Sequence, residues 1–173
     1  MIIHPTFNNT KVGNSITVNY MQNNDPHDSS TKMPLWLNNF VKVYQTLSTD
    51  NLDLLSMIYH QDIIFIDPIH ELKGFDNLSE YFKSLYENLS SCEFVIDNII
   101  SQNDQAAIYW TMTYQHPKLN KGNVVTVMGH SHIKGYEDKV IHHRDYLDLG
   151  AMLYEQLPLL GRIIKFIKKK AAN

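Results

Sequence analysis

Cysteine is almost absent: Cys92 is the only one in 173 residues. A disulfide within the chain is impossible, and a multi-thiolate zinc or iron–sulfur site is excluded. Cys92 has no reactive-thiol signature around it and reads as a small buried side chain near a strand start. Long apolar runs are also missing. None approaches the ~18–20 residues of a membrane span. The N-terminus has no cationic stretch followed by an apolar core, so no signal peptide is expected and the cytoplasm is the expected compartment. Glycine is sparse, with Gly122, Gly129 and Gly135 scattered and no glycine-rich loop ahead of a helix, which excludes the common phosphate-binding motifs. There is no Gly-x-Ser-x-Gly elbow, so an α/β-hydrolase is excluded. No cofactor is expected.

Positive charge is not in excess either. Lys and Arg number 15 against 18 Asp and Glu, a net of −3, which argues against a general nucleic-acid binder. That sum conceals a split. Arg162, Lys165, Lys168, Lys169 and Lys170 fall in the last twelve residues with no acid among them, so residues 1–161 hold 10 basic and 18 acidic residues, net −8, and the tail carries +5. The chain is 43% hydrophobic and 19% charged, ordinary for a globular domain.

Three segments are expected: a polar, mostly irregular leader at 1–33, an ordered domain at 34–149, and a basic amphipathic helical segment at 150–173. The leader is rich in Asn, Ser and Thr, whose side chains compete for backbone hydrogen bonds; residues 15–20 alternate and offer one edge strand. Pro34 suits a first helical turn. Leu37, Phe40, Val41, Tyr44 and Leu47 then recur at helical spacing. A short second helix follows a Ser-Thr-Asp-Asn break, with Leu52, Leu54, Leu55 and Ile58. Residues 62–67 are β-branched and aromatic and read as a strand ended by Pro68. Residues 75–89 return to helical spacing. Four strand-like runs follow at 92–100, 105–115, 123–134 and 139–149, with short turns that predict an antiparallel meander. This order predicts an α+β fold with helices on one face of a curved sheet.

The element order, with Phe65-Ile66-Asp67-Pro68 followed by Gly74 and a helix, resembles the nuclear transport factor 2-like superfamily, and within it the SnoaL-like and ketosteroid-isomerase-like proteins. The resemblance spans roughly residues 34–149. It implies a curved antiparallel sheet closed by N-terminal helices into a cone with an internal pocket, often dimerising through the sheet. In ketosteroid isomerases a general-base Asp precedes Pro at the end of the first strand, which corresponds to Asp67. An oxyanion-hole Tyr on the first helix corresponds to Tyr44. A protonated acid on the penultimate strand corresponds to His130, a departure that replaces a high-pKa carboxylic acid with an imidazole.

The register of the last hairpin can be counted from its turn. A four-residue turn at 135–138 pairs Lys134 with Lys139, and so His130 with His143 and Met128 with Asp145. Opposed residues share a face, which puts His130, His132, His143 and Asp145 together. Taken as the concave face, the pocket then holds the catalytic candidates Asp67, Tyr44, His130, His143 and Asp145, lined by Trp110, Met112, Met128 and Leu147 as ligand contacts. A carboxylate in an apolar cavity is raised toward a useful basic range, and Tyr and His donors stabilise a developing enolate oxygen. His130-x-His132 with His143 is also a metal-ligand pattern, but nine His make such spacing common by chance. No metal is expected.

The expected function is binding of a small, largely apolar molecule, with proton-transfer chemistry of the isomerase, cyclase or dehydratase kind. The alternative is a non-catalytic binding or accessory module of the same fold. The expected partners are the small molecule and a second copy of the chain, with weak anionic-membrane contact through residues 159–170 and no nucleic acid.

Overall fold

A computed structural model describes residues 33–172. The leader expected at 1–33 and its strand at 15–20 thus fall almost wholly outside the described residues. The first helix, α1 (Leu35–Tyr44), buries Leu37, Phe40, Val41 and Tyr44, the stripe that the helical spacing marks, and Pro34 caps it. A 3-10 turn leads into α2 (Leu55–Ile58), which runs directly into β1 (Tyr59–Ile66). After β2 (Glu71–Lys73), α3 (Phe75–Glu87) buries Leu78, Phe82 and Tyr86 at i, i+4 and i+8. Gly74 holds a φ of 84° at the start of α3, a conformation that glycine adopts without steric cost.

The meander is β3 (Ser91–Gln102), β4 (Gln105–Gln115), β5 (Val124–Tyr136) and β6 (Lys139–Leu147). Its strands alternate as period two requires: Ala106, Ile108, Trp110 and Tyr114 of β4 are buried, with Tyr109 exposed between them. The six strands lie in the order β2-β1-β6-β5-β4-β3. β1 runs parallel to β6, so the sheet is mixed, where an antiparallel sheet was expected. The parallel pair arises because the chain leaves β1, forms α3 and crosses the whole meander before returning beside β1. β2 was also not expected; three residues are too few to show periodicity.

Helices α1 and α3 cover one face, and the core lies between them and the inward residues of the sheet, including Phe65, Ile99, Ile108, Ile133 and Val140. Beyond β6, Asp148 caps α4 (Leu149–Met152) by accepting the Ala151 N–H at 3.0 Å, which ends the strand two residues before the expected 149. The chain closes with α5 (Leu160–Ala171). Among the described residues, no helix is long and apolar enough to cross a membrane.

The last hairpin departs from the counted register. Its turn has two residues, Glu137 (φ 48°) and Asp138 (φ 60°), between the paired Tyr136 and Lys139. Two left-handed residues give the turn whose twist matches the flanking strands. A bulge then falls between Lys134 and Gly135. The Gly135 N–H is turned away to the Asp104 carbonyl at 2.7 Å, and its Cα lies against the Trp36 indole, where a Cβ would come within 2.4 Å of the ring. Lys134 consequently pairs with His142, Ser131 with Asp145, and His130 with Tyr146.

Candidate active site

The shifted register divides the expected cluster. His143 and Asp145 face inward, opposite Ile133 and Ser131, while His130 and His132 face outward. His130 is stacked between Tyr109 and Tyr146, with ring centroids 5.4 and 4.9 Å away. His132 contacts the Gln105 side chain at 3.0 Å. Met128, expected in the lining, is 74% exposed on the same outer face. His130 and Met128 are therefore corrected out of the pocket, and His130, His132 and His143 do not converge on one ion.

The remaining expected residues line one cavity, except His143, which is buried behind Asp145 and does not reach it. A cavity of about 510 Å³ between α1, α3, α4 and the sheet is lined by Tyr44, Asp67, Trp110, Met112, Asp145 and Leu147, among other mostly apolar side chains. Two carboxylates reach it, and their surroundings differ.

Asp67 ends β1. Its Oδ1 accepts the Ile69 and His70 N–H groups at 2.7 and 2.6 Å, closing the turn that Pro68 begins. Oδ2 accepts the Tyr81 hydroxyl at 2.5 Å, and His70 Nδ1 stands 3.3 Å from Oδ1. Burial, and then the Asp67 carboxylate, push the Tyr81 phenol far above its ordinary range, so it remains a donor. Both Asp67 oxygens are thus engaged in holding the turn and α3 together.

Asp145 belongs to β6 and is held on one side only. Oδ1 meets His143 Nε2 at 2.8 Å and accepts the Ser131 hydroxyl at 2.5 Å. Ser131 in turn accepts Trp110 Nε1–H at 2.8 Å. Gly129, opposite Trp110, makes that bond possible: a Cβ there would lie 2.4 Å from the indole. Among the described residues, Oδ2 of Asp145 has no hydrogen-bond partner.

Behind Asp145 the chain of bonds continues inward. His143 is 1% exposed. Its Nδ1 is 2.6 Å from the Tyr59 hydroxyl, which is 2.5 Å from the Tyr44 hydroxyl at the cavity wall. With Asp145 ionised and the imidazole neutral, Nε2–H donates to Oδ1, Nδ1 accepts from Tyr59, and Tyr59 accepts from Tyr44, so every group is satisfied. Burial raises both phenols well above their usual range, and the Asp145 charge adds to it, which keeps both protonated. Tyr44 and Asp145 therefore face the same cavity at the two ends of one buried hydrogen-bonded path.

One further polar group lines the cavity. The Tyr86 hydroxyl is buried, lies beside the Cys92 thiol and has no hydrogen-bond partner of normal geometry among the described residues. Burial lifts the Cys92 thiol to about 11, which leaves it a thiol at neutral pH.

Tyr59, Tyr81, Tyr86 and Ser131 were not singled out from the sequence. Ser131 between two histidines takes its place only in the observed register. Tyr81 and Tyr86 lie on the helix expected at 75–89, and Tyr59 falls between the expected second helix and the strand expected at 62–67.

The fold and the position of this cavity define a class: an α+β domain of the nuclear transport factor 2-like superfamily, with helices packed over one face of a six-stranded sheet. The model of the SnoaL-like domain matches residues 40–143, more than half of the chain, and the chain belongs to that family. A candidate SnoaL-like polyketide cyclase from Jannaschia sp. CCS1 is similar in structure, with a TM-score of 0.64 at 14% identity over 73% of this chain and 95% of that one. A protein with the ketosteroid-isomerase-like fold from Catenulispora acidiphila, in complex with trimethylamine, gives a TM-score of 0.62 at 14% identity over 73% and 96%. A protein similar to nuclear transport factor 2, of unknown function, from Burkholderia pseudomallei K96243 gives 0.63 at 12% identity over 70% and 96%. Curated proteins include no match.

Proposed function

We propose that the chain binds a small, largely apolar molecule carrying a carbonyl or enol in this cavity, and moves a proton on it with Asp145 as the base. One observation carries the reading: Asp145 presents an unpartnered carboxylate oxygen to an apolar cavity while His143 and Ser131 fix the other oxygen. A base held by one oxygen keeps its orientation without losing the lone pairs that take the proton. Tyr86 supplies a free phenol donor at the cavity wall, so negative charge developing on the ligand oxygen has a place to go, while Tyr44, whose proton is given to Tyr59, anchors the buried path that leads to Asp145. Asp67, whose oxygens are occupied, takes the supporting role of holding β1 to α3. The cyclase and isomerase chemistry of the family is consistent with this division.

The cavity, lined but not filled by Trp110 and Met112, favours this reading over an accessory module. We further propose that the outer face of the sheet, where Val95, Tyr109, Met128 and Tyr146 are exposed, pairs with a second copy of the chain.

Binding of 2-naphthol, followed by fluorescence, tests the site. The excited naphthol gives up its proton to a neighbouring carboxylate, so the bound wild type is expected to show the naphtholate band. Asp145→Asn is expected to bind the naphthol but keep the neutral emission. Naphtholate emission unchanged in Asp145→Asn would remove Asp145 from the role of base.

A further inference from the structure

We infer that α5 docks on the surface of an anionic lipid bilayer. The helix is attached to the domain along one narrow edge. Gly161 sits against Glu155, where a Cβ would come within 2.2 Å of its carbonyl oxygen. Two turns further along the same face, Lys168 Nζ reaches Glu155 at 2.5 Å and Asp148 at 3.2 Å. These two contacts fix the rotation of the helix. At about 100° per residue, Ile163, Phe166 and Ile167 then fall on one side, and Arg162, Lys165 and Lys169 on the other.

The apolar side has nothing to pack on among the described residues. Ile163 is 56%, Phe166 60% and Ile167 57% exposed, and Leu159 beside them is 76% exposed. Such a contiguous exposed stripe on a folded domain marks a contact surface. Its charge selects the occupant. All five ionisable side chains from 160 to 171 are cations. The Lys170 ammonium lies 5.3 Å from the Phe166 ring centre, so positive charge also meets the apolar stripe at its C-terminal end. A bilayer with anionic headgroups presents the matching layers, negative charge directly above hydrocarbon. A second α5 packed on this stripe would bring like charges together, and a nucleic acid would leave Phe166 and the isoleucines in water.

α5 is tied through Lys168 to Asp148, the residue that caps α4, and Leu149 and Met152 of α4 line the cavity. A membrane-bound α5 therefore holds that wall of the cavity close to the bilayer.

The inference rests on α5 alone and not on the chemistry proposed for the cavity. Its test is sedimentation of the full chain with vesicles of phosphatidylcholine, with and without phosphatidylglycerol. The chain is expected to sediment with the mixed vesicles and not with the neutral ones, and to be released by salt. Lys165→Gln with Lys169→Gln is expected to lower the partition coefficient about 25-fold. Ile163→Asp with Phe166→Asp, at exposed positions that leave folding intact, is expected to abolish sedimentation while 2-naphthol binding persists. Three results would overturn the inference: no sedimentation with anionic vesicles, equal sedimentation with neutral ones, or sedimentation unchanged by Phe166→Asp. A lipid-free oligomer that Phe166→Asp dissociates, without vesicle binding by the wild type, would assign the stripe to a second copy instead.

Discussion

Tyr59→Phe removes a single oxygen and keeps the ring. That oxygen lies 2.5 Å from the Tyr44 hydroxyl and 2.6 Å from His143 Nδ1, with Tyr59 itself 1% exposed. Each bond contributes about 1 kcal/mol net, and the buried nitrogen left without a partner costs about 1–3 kcal/mol more. Tyr44 borders the cavity, where water replaces the lost partner, so its share of that penalty is small. The expected loss is about 3–5 kcal/mol of unfolding free energy. For a chain of this size that lowers the melting temperature by roughly 6–20 °C. Tyr86→Phe removes the same oxygen from the same kind of ring, but from a hydroxyl that has no partner. It is expected to be neutral or to stabilise the ligand-free protein, since an unsatisfied buried hydroxyl is unfavourable. Urea unfolding followed by Trp36 and Trp110 fluorescence measures both, with an unchanged denaturant slope as the check that the unfolded state is comparable. Equal effects of the two substitutions, or a loss below about 1 kcal/mol for Tyr59→Phe, would refute the hydrogen-bonded path.

Three further outcomes follow from the same geometry. His142 has its pKa lowered, first by burial and then by the neighbouring basic side chains His132, Lys134, His143 and Arg144. The unfolded chain takes up this proton below its ordinary value of 6.5 while the folded chain resists it, so the cost is absent above that pH and grows as pH falls. Thermal denaturation across that window should show His142→Gln losing less stability on acidification than the wild type, and parallel curves would contradict this. Gly129→Ala pushes a methyl group against the Trp110 ring and is expected to destabilise by about 1–3 kcal/mol, with a shift in tryptophan emission as the indole leaves Ser131. Replacing the two left-handed turn residues, Glu137→Asn with Asp138→Gly, is expected to stabilise by about 1 kcal/mol in urea unfolding.

Much of this arrangement is legible in the residues. The stripe of α1, the period-two runs of the meander and the break at Asp67-Pro68 are local patterns, and the structure follows them. Asp67, Tyr44 and Asp145 line one cavity because their elements meet there, while His143 lies buried behind Asp145 and does not line it. The hairpin register is different in kind. It depends on a bulge at Gly135, and that bulge is fixed by Trp36 from α1 and by Asp104 from the preceding turn, neither of which is local to the hairpin. The two-residue turn and the bulge together shift the pairing by three residues, His130 meeting Tyr146 in place of His143, and this odd shift moved His130 and Met128 to the outer face and brought Ser131 to the inner one. The parallel pairing of β1 with β6 was hidden for a related reason, since strand order across a long connection leaves no mark in periodicity. Asp67 shows a further limit: its place before Pro marks both a base and a turn-former, and only the two N–H bonds to Oδ1 separate them.

Proton transfer by Asp145 at a carbon next to a carbonyl is the central claim, and solvent deuterium exchange into 2-tetralone, read by NMR, measures it directly. The ketone is apolar, small against a cavity of about 510 Å³, and exchanges its acidic C–H bonds slowly in neutral water. The wild type is expected to accelerate the exchange, and Asp145→Asn to reduce that acceleration by about 100-fold or more, with Asp67→Asn retaining most of it. No acceleration by the wild type, or equal acceleration by Asp145→Asn, would contradict the account.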